Sequence, residues 1–158
     1  MGRGDIDVVG TDHCSFTMAQ KALGNGDFAK APNGGAGVQN RAQLIYTYAV
    51  EPGRVTLPQM AALLAETPAR LFGMYPQKGV IQAGSDGDLA IYDPRGEGVI
   101  SYRTNAHNCD NSPYEGVKVK GGVRHVLLNG ELVVRDGKLN KPGMGRYVFR
   151  GPSQRPRK

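Results

Sequence analysis

The hydrophobic period changes once along this 158-residue chain, at Tyr75-Pro76, and the change demands two kinds of architecture. Upstream, Val38, Ala42, Ile45 and Ala49 recur at helical spacing, with Leu44 and Tyr48 widening the stripe. This predicts a helix over 38–49, ended by Pro52 and Gly53. Thr56-Leu57-Pro58-Gln59 has the form of a capping box with proline in the first turn. It predicts a second helix over 57–66, apolar at Met60, Leu63 and Leu64. Thr67-Pro68 predicts a separate cap for a short third helix, 69–72, closed by Gly73. Downstream the period is two. Leu89 with Ile91, and the run 99–102, read as short strands separated by Asp93-Pro94 and glycines. Residues 117–120 alternate, and 123–128 joins 132–134 through Asn129-Gly130, the strongest short hairpin signal a sequence offers.

The first 37 residues follow neither period. Ile6, Val8 and Val9 form a β-branched run closed by Gly10-Thr11, which reads as a buried strand ending where the polar cluster Asp12, His13, Cys14 and Ser15 begins. Residues 17–37 hold Gly24, Gly26, Pro32, Gly34, Gly35 and Gly37 and read as loop, longer than the roughly 12–15 residues beyond which loops are usually functional or disordered. The order is strand, polar loop, helices, small β unit. That order describes the end of an α/β architecture, and a complete α/β barrel needs about 250 residues.

The charge is unevenly placed. Of 20 basic residues, Lys141, Arg146, Arg150, Arg155, Arg157 and Lys158 fall in the last 18 positions with no acid among them, leaving 14 bases against 14 acids in the body. The segment 141–158 is therefore read as a solvated, flexible basic tail, with contact to a neighbouring subunit as the alternative. Nucleic-acid readers spread positive charge over a folded face with aromatic platforms, a pattern absent here, so no nucleic-acid partner is expected. No apolar run approaches the roughly 20 residues of a spanning helix, and MGRGDIDVVG lacks a signal-peptide core, so neither membrane association nor secretion is expected. Cys14 and Cys109, 95 positions apart, form no disulfide framework, and a cytoplasmic setting is the default.

Candidate chemistry concentrates at Asp12-His13-Cys14. In parallel α/β architectures the C-terminal ends of strands carry the site, and an aspartate there is able to ligate a metal and move a proton. The plainer reading is that Asp12 caps the following turn. Cys14 beside His13 has the residue types of a nucleophile and base, although loop neighbours rarely face one another, and a small packing cysteine is the simpler role. His107, Cys109 and Asp110 resemble a metal cluster in composition, but Asn105, Asn108, Asn111 and Pro113 favour a solvated loop. His125 lies in a strand pattern and is expected half-exposed on a sheet face. Three widely spaced histidines without a His-x-His pair cannot close a metal site.

The segment Val8-Val9-Gly10-Thr11-Asp12-His13-Cys14-Ser15-Phe16 resembles the last barrel strand of the hydantoinase and dihydropyrimidinase family of cyclic amidohydrolases. The likeness continues through Gln20-Lys21-Ala22-Leu23-Gly24, Asp27-Phe28, Pro32-Asn33-Gly34 and Gly37-Val38 to Arg41. It resumes at Thr67-Pro68-Ala69-Arg70-Leu71-Phe72-Gly73, Tyr75-Pro76, Lys78-Gly79, Gly84-Ser85-Asp86-Gly87-Asp88-Leu89 and Tyr114-Glu115-Gly116. The resemblance implies the C-terminal fragment of a TIM-barrel amidohydrolase. Its parts would be the last barrel strand, active-site loop and helices over 1–78, part of a small β-sandwich over 79–140, and the tail over 141–158. It implies opening of a hydantoin or dihydropyrimidine ring by hydroxide held between two divalent metals, expected to be zinc. Asp12 falls on the family's metal-ligating aspartate, which is also its general base and acid. Asn33 falls on the residue whose backbone holds the substrate amide, and His13 supports the ligands without touching metal. Cys14-Ser15-Phe16 favours hydantoinase or dihydropyrimidinase over dihydroorotase or allantoinase. The remaining ligands (His-x-His, a carboxylated lysine and two histidines) are not in this sequence, so the chain alone is expected to be inactive. A homotetramer is expected of the parent protein. The alternative is an inactive regulatory fragment that docks on amidohydrolase subunits.

Overall fold

A computed structural model describes residues 1–154; the tail expectation for Arg155, Pro156, Arg157 and Lys158 lies outside the described residues. The predicted 38–49 helix forms as a 3₁₀ turn Val38–Asn40, α2 Arg41–Ile45 and a π turn Tyr46–Val50 in unbroken succession. The Thr56 box also forms, with Thr56 Oγ1 accepting from Gln59 N–H at 3.3 Å and Gln59 Oε1 from Thr56 N–H at 2.8 Å. It starts α3 Leu57–Ala61, which runs through a π turn Ala62–Glu66 directly into α4 Thr67–Leu71. The separate cap expected at Thr67-Pro68 does not exist. Pro68 lacks an N–H, and just before it the ladder widens so that Thr67 N–H reaches back to Ala62 C=O. Glu66 and Arg70 then pair at 3.0 Å across the join.

The helical stripe buries Ile45, Ala49, Val55, Met60 and Leu63 in one cluster, with Val9, Ala42, Tyr46, Val50 and Leu64 packed against it. Val9 belongs to the segment expected to be a buried strand, and here the expectation needs correction. Residues 6–9 form no strand, and Ile6 is 46% exposed. A strand exists only against a partner strand, and this segment is tied instead to the helices, with Val9 N–H on Leu63 C=O and Arg41 Nη1 on Val9 C=O. The 17–37 loop is also more structured than expected. It holds α1 Met18–Lys21 and 3₁₀ turns Ala22–Gly24 and Phe28–Lys30.

Beyond Lys78 the chain forms one four-stranded antiparallel sheet in the order β1-β2-β3-β4. The strands are β1 Leu89–Val99, β2 Lys118–Leu128, β3 Glu131–Arg135 and β4 Lys138–Leu139. Asp93-Pro94 shifts the β1–β2 register between Asp93 and Glu97 without ending β1, and the strand stops at Val99, short of the expected Tyr102. Opposite the shift Gly121 adopts φ +64, and a Cβ there would lie 2.5 Å from Asp93 O. Asn129-Gly130 makes the expected hairpin, both residues at positive φ, and Asp136-Gly137 repeats the device to add β4. His125 is half-buried, its Nδ1 accepting from Asp136 N–H.

Side chains of α2 and its π turn grip the stretch of β2 that β3 does not reach. Gln43 Nε2 donates to Gly121 C=O at 2.9 Å, Thr47 Oγ1 accepts from Lys120 N–H at 2.9 Å, and Tyr48 donates to Lys118 C=O at 2.9 Å. Tyr92 reaches Lys120 C=O at 2.8 Å; burial, with Tyr46 beside it, pushes its hydroxyl up to about 12. The described tail is not free. Gly151 N–H donates to Gly73 C=O at 2.7 Å and Gln154 N–H to Arg70 C=O at 2.9 Å.

Lys78 joins helices to sheet by pairing with Asp86 at 2.8 Å and with Asp88, whose other oxygen accepts from Asn129 N–H. The Lys78 bond, followed by Arg146, holds the Asp86 carboxyl down to about 2. Because that value lies below the unfolded carboxylate range, this contribution to stability is whole above about pH 4 and is lost as pH falls toward 2. Asp86→Asn is therefore expected to lower the urea midpoint at neutral pH, with the deficit shrinking as both proteins are acidified. A pH-independent deficit would contradict the assignment.

Candidate active-site loop

Residues 12–14 and 33–37 face one another across a short parallel bridge between His13 and Gly35. Gly35 N–H donates to Asp12 C=O at 3.1 Å, and Cys14 N–H donates to Gly35 C=O at 3.2 Å. Asp12 itself sits at φ +44, a left-handed conformation that aspartate tolerates better than most side chains. Its carboxylate is exposed, and among the described residues it makes no hydrogen bond or ion pair. The turn-capping reading of Asp12 is thus not realised by its side chain. Such a strained, uncommitted carboxylate is where function is to be sought.

His13 looks the other way. Its Nδ1 accepts from Gly37 N–H at 3.1 Å and Val38 N–H at 3.2 Å, which fixes the remaining proton on Nε2, facing Ser15 Oγ at 3.1 Å. Both ring nitrogens are therefore engaged within the chain, and the imidazole braces the start of the 3₁₀ turn Val38–Asn40. Cys14 is half-buried against Gly34, which leaves the cysteine–histidine pairing without geometric support.

Asn33 is exposed at the tip of the facing bend, and neither its backbone nor its side chain takes a partner among the described residues. The bend is shaped by Gly34 at φ +80; a Cβ there would lie 2.4 Å from Asp12 O and 3.0 Å from Cys14 Sγ. Lys21, half-buried in the last turn of α1, donates through Nζ to Pro32 C=O and, at 2.6 Å, to Gly34 C=O. The α1 turn is set by a second capping box, Thr17 with Gln20.

The His107–Asp110 segment is the expected loop with Asn108 and Asp110 exposed, but it is anchored. Cys109 is buried and its thiol donates to Phe16 C=O at 2.9 Å, while Asp110 Oδ1 accepts from Met18 N–H at 2.9 Å. Asn111 Nδ2 also donates to Phe16 C=O, at 3.0 Å. These residues satisfy the backbone at the start of α1, with Cys109 buried and Asp110 still exposed. The His107 ring lies 6.2 Å from that of His13, with Nδ1 buried and without a partner among the described residues. No group of three or more His, Cys, Asp or Glu side chains able to hold a metal occurs among the described residues. Likewise, no helix there is long and apolar enough to cross a membrane.

The amidohydrolase family profile matches residues 1–133, and the chain belongs to that family. Its relatives narrow the kinship. The chain is 46% identical over 151 residues to a D-phenylhydantoinase of Escherichia coli O1:K1, covering 94% of this chain and 33% of that protein. A D-hydantoinase (dihydropyrimidinase) from a Thermus species superposes with a TM-score of 0.92 at 40% identity, over 97% of this chain and 34% of that one. An L-hydantoinase (dihydropyrimidinase) from Arthrobacter aurescens superposes at 0.81 and 33% identity, over 89% of this chain and 31% of that one. The chain spans about a third of the length of the curated relatives it matches.

Lys21 and Gly34 lay within motifs legible in the sequence, but only their contacts give them roles. Gly34→Ala combines a backbone clash with a disfavoured φ, and is expected to lower the unfolding free energy by about 2 kcal/mol or more. Gly10→Ala, which meets nothing within 4 Å, is expected to change it by less than about 0.5 kcal/mol. Urea titrations of the two variants check this, and equal effects would refute the role given to Gly34.

Proposed function

We propose that this chain is the C-terminal part of a cyclic amidohydrolase of the hydantoinase/dihydropyrimidinase type, which hydrolyses a ring C–N bond of a small cyclic amide. The observation that carries the reading is the uncommitted Asp12 carboxylate, set by the Gly35 rung beside the open backbone of Asn33. In this reading residues 6–9 are the last strand of a TIM barrel whose other strands lie elsewhere in a longer protein. The sheet over β1–β4 is part of a small β-sandwich, and the parent protein is a cytoplasmic homotetramer.

Asp12 suits one place in a divalent-metal site, since its carboxylate offers hard oxygen donors and is held clear of competing partners. Among the described residues no group of ligands joins Asp12, so they do not fit a complete centre, and two zinc ions would need further holders. Bound divalent metal lowers the pKa of water and polarises a carbonyl.

Asn33 N–H donates to a ring carbonyl while Asn33 C=O accepts from the adjoining ring N–H, which fixes the ring in one orientation. Asp12 takes the proton of the attacking water and passes it to the ring nitrogen as the C–N bond breaks. The products are the carboxylate and the freed amide or ureido nitrogen. His13, braced between Ser15 and the Gly37 and Val38 amides, keeps the Asp12 turn in register with the Asn33 bend.

In the longer enzyme, Asp12→Asn is expected to lower kcat for hydantoin and dihydrouracil by about a thousandfold or more, because it removes a ligand and the proton carrier together. The 158-residue chain supplied with zinc or manganese is expected to show no turnover. Chelator-sensitive turnover by that chain alone would overturn the requirement for ligands from outside it.

A further inference from the structure

We propose that Lys21 is a positioning residue for the substrate-binding bend: its ammonium holds the carbonyls on either side of Asn33, and so presents Asn33's own amide groups to the ring. The inference rests on the hydantoinase-type reading and names the device that orders its Asn33 contacts. Lys21 Nζ binds Pro32 C=O and Gly34 C=O and lies 5.4 Å from the centroid of the Phe16 ring. No carboxylate pairs with it among the described residues, so two carbonyl dipoles and a ring face take the place of a counter-ion.

Peptide planarity makes the consequence directional. In a trans peptide the N–H points opposite to the C=O of the same unit. With Pro32 C=O held toward Lys21, Asn33 N–H must point to the far side. With Gly34 C=O held toward Lys21, Gly35 N–H must also point away, and it is found on Asp12 C=O. One ammonium thus sets the edge that Asn33 offers and the rung that keeps Asp12 opposite it. A neutral side chain would leave two half-buried carbonyls without donors and let the bend turn over. Lysine suits the place because it is a point charge with three donors on a flexible stem.

The test uses the longer enzyme with Lys21→Met, Lys21→Arg and Asp12→Asn, measuring kcat and KM separately together with amide hydrogen exchange of the segment 31–37. Lys21→Met is expected to raise KM about tenfold or more while kcat falls by less than about threefold, because the lost order acts on binding. Exchange at Gly35 should rise about tenfold with it, as local opening becomes easier. Lys21→Arg, which keeps donors and charge, is expected to recover most of both effects. Should Lys21→Met fail to accumulate, Lys21→Gln, which still donates to one carbonyl, is expected to show the same KM-selective loss at smaller size. A lysine replacement that leaves KM and exchange unchanged, while Asp12→Asn is inactive, overturns the role of Lys21 alone. An active Asp12→Asn enzyme overturns the reading of the site beneath it. An equal loss of kcat and KM that arginine does not rescue marks Lys21 as a general packing residue and also overturns the proposal.

Discussion

The pair of hydrogen bonds joining Gly35 to Asp12 and Cys14 is the contact on which the rest of the site depends. It is short, one rung, yet it links a segment that forms no strand among the described residues to a glycine-rich bend. Behind the bend Ala36 and Gly37 are buried, but the facing residues Asp12 and Asn33 are exposed and burial does not hold them. The rung survives because each side is braced from behind: Lys21 and Gly34 on the bend, His13 and the amides of Gly37 and Val38 on the turn. Geometry that the hydrophobic effect cannot fix is fixed by polar groups with definite directions.

The same logic holds at larger scale. The helices have one apolar cluster of five buried residues, and the sheet contributes few buried side chains of its own. What couples the two is hydrogen bonding from Gln43, Thr47 and Tyr48 to residues 118–121 of β2, and the Lys78 bridge to Asp86 and Asp88. β3 pairs with β2 only at 126–128, so this stretch keeps an open edge for the helix side chains, and Gly121 lies opposite the register shift in β1.

Periodicity and turn chemistry made much of this fold legible in the sequence, and the failures have specific causes. Thr56-x-x-Gln59 was readable because an apolar helical stripe follows it. Thr17-x-x-Gln20 makes the same box but stands before glycines, and so its sequence reads as loop. Asn129-Gly130 announces a hairpin, whereas the strand after Asp136-Gly137 has only two residues, too few to show a period. Thr67-Pro68 looked like a start, yet a π turn absorbed the proline within a continuing helix. Residues 6–9 have strand chemistry, but a strand is a property of neighbours. Asp12, His13 and Asn33 could be singled out by residue type, order and family likeness. Lys21 could not, because its partners are carbonyl groups, which leave no trace in a sequence.

The bond from Met18 N–H to Asp110 has a further consequence. Through it, and through the thiol of Cys109 on Phe16 C=O, a connection between two strands of the sheet supports the loop that carries Lys21. The sheet is therefore no detachable ornament on the helical half. Anyone transplanting it between members of the family would have to carry residues 105–111 along with their matched partners at 16–18, or inherit a loop missing its foundation.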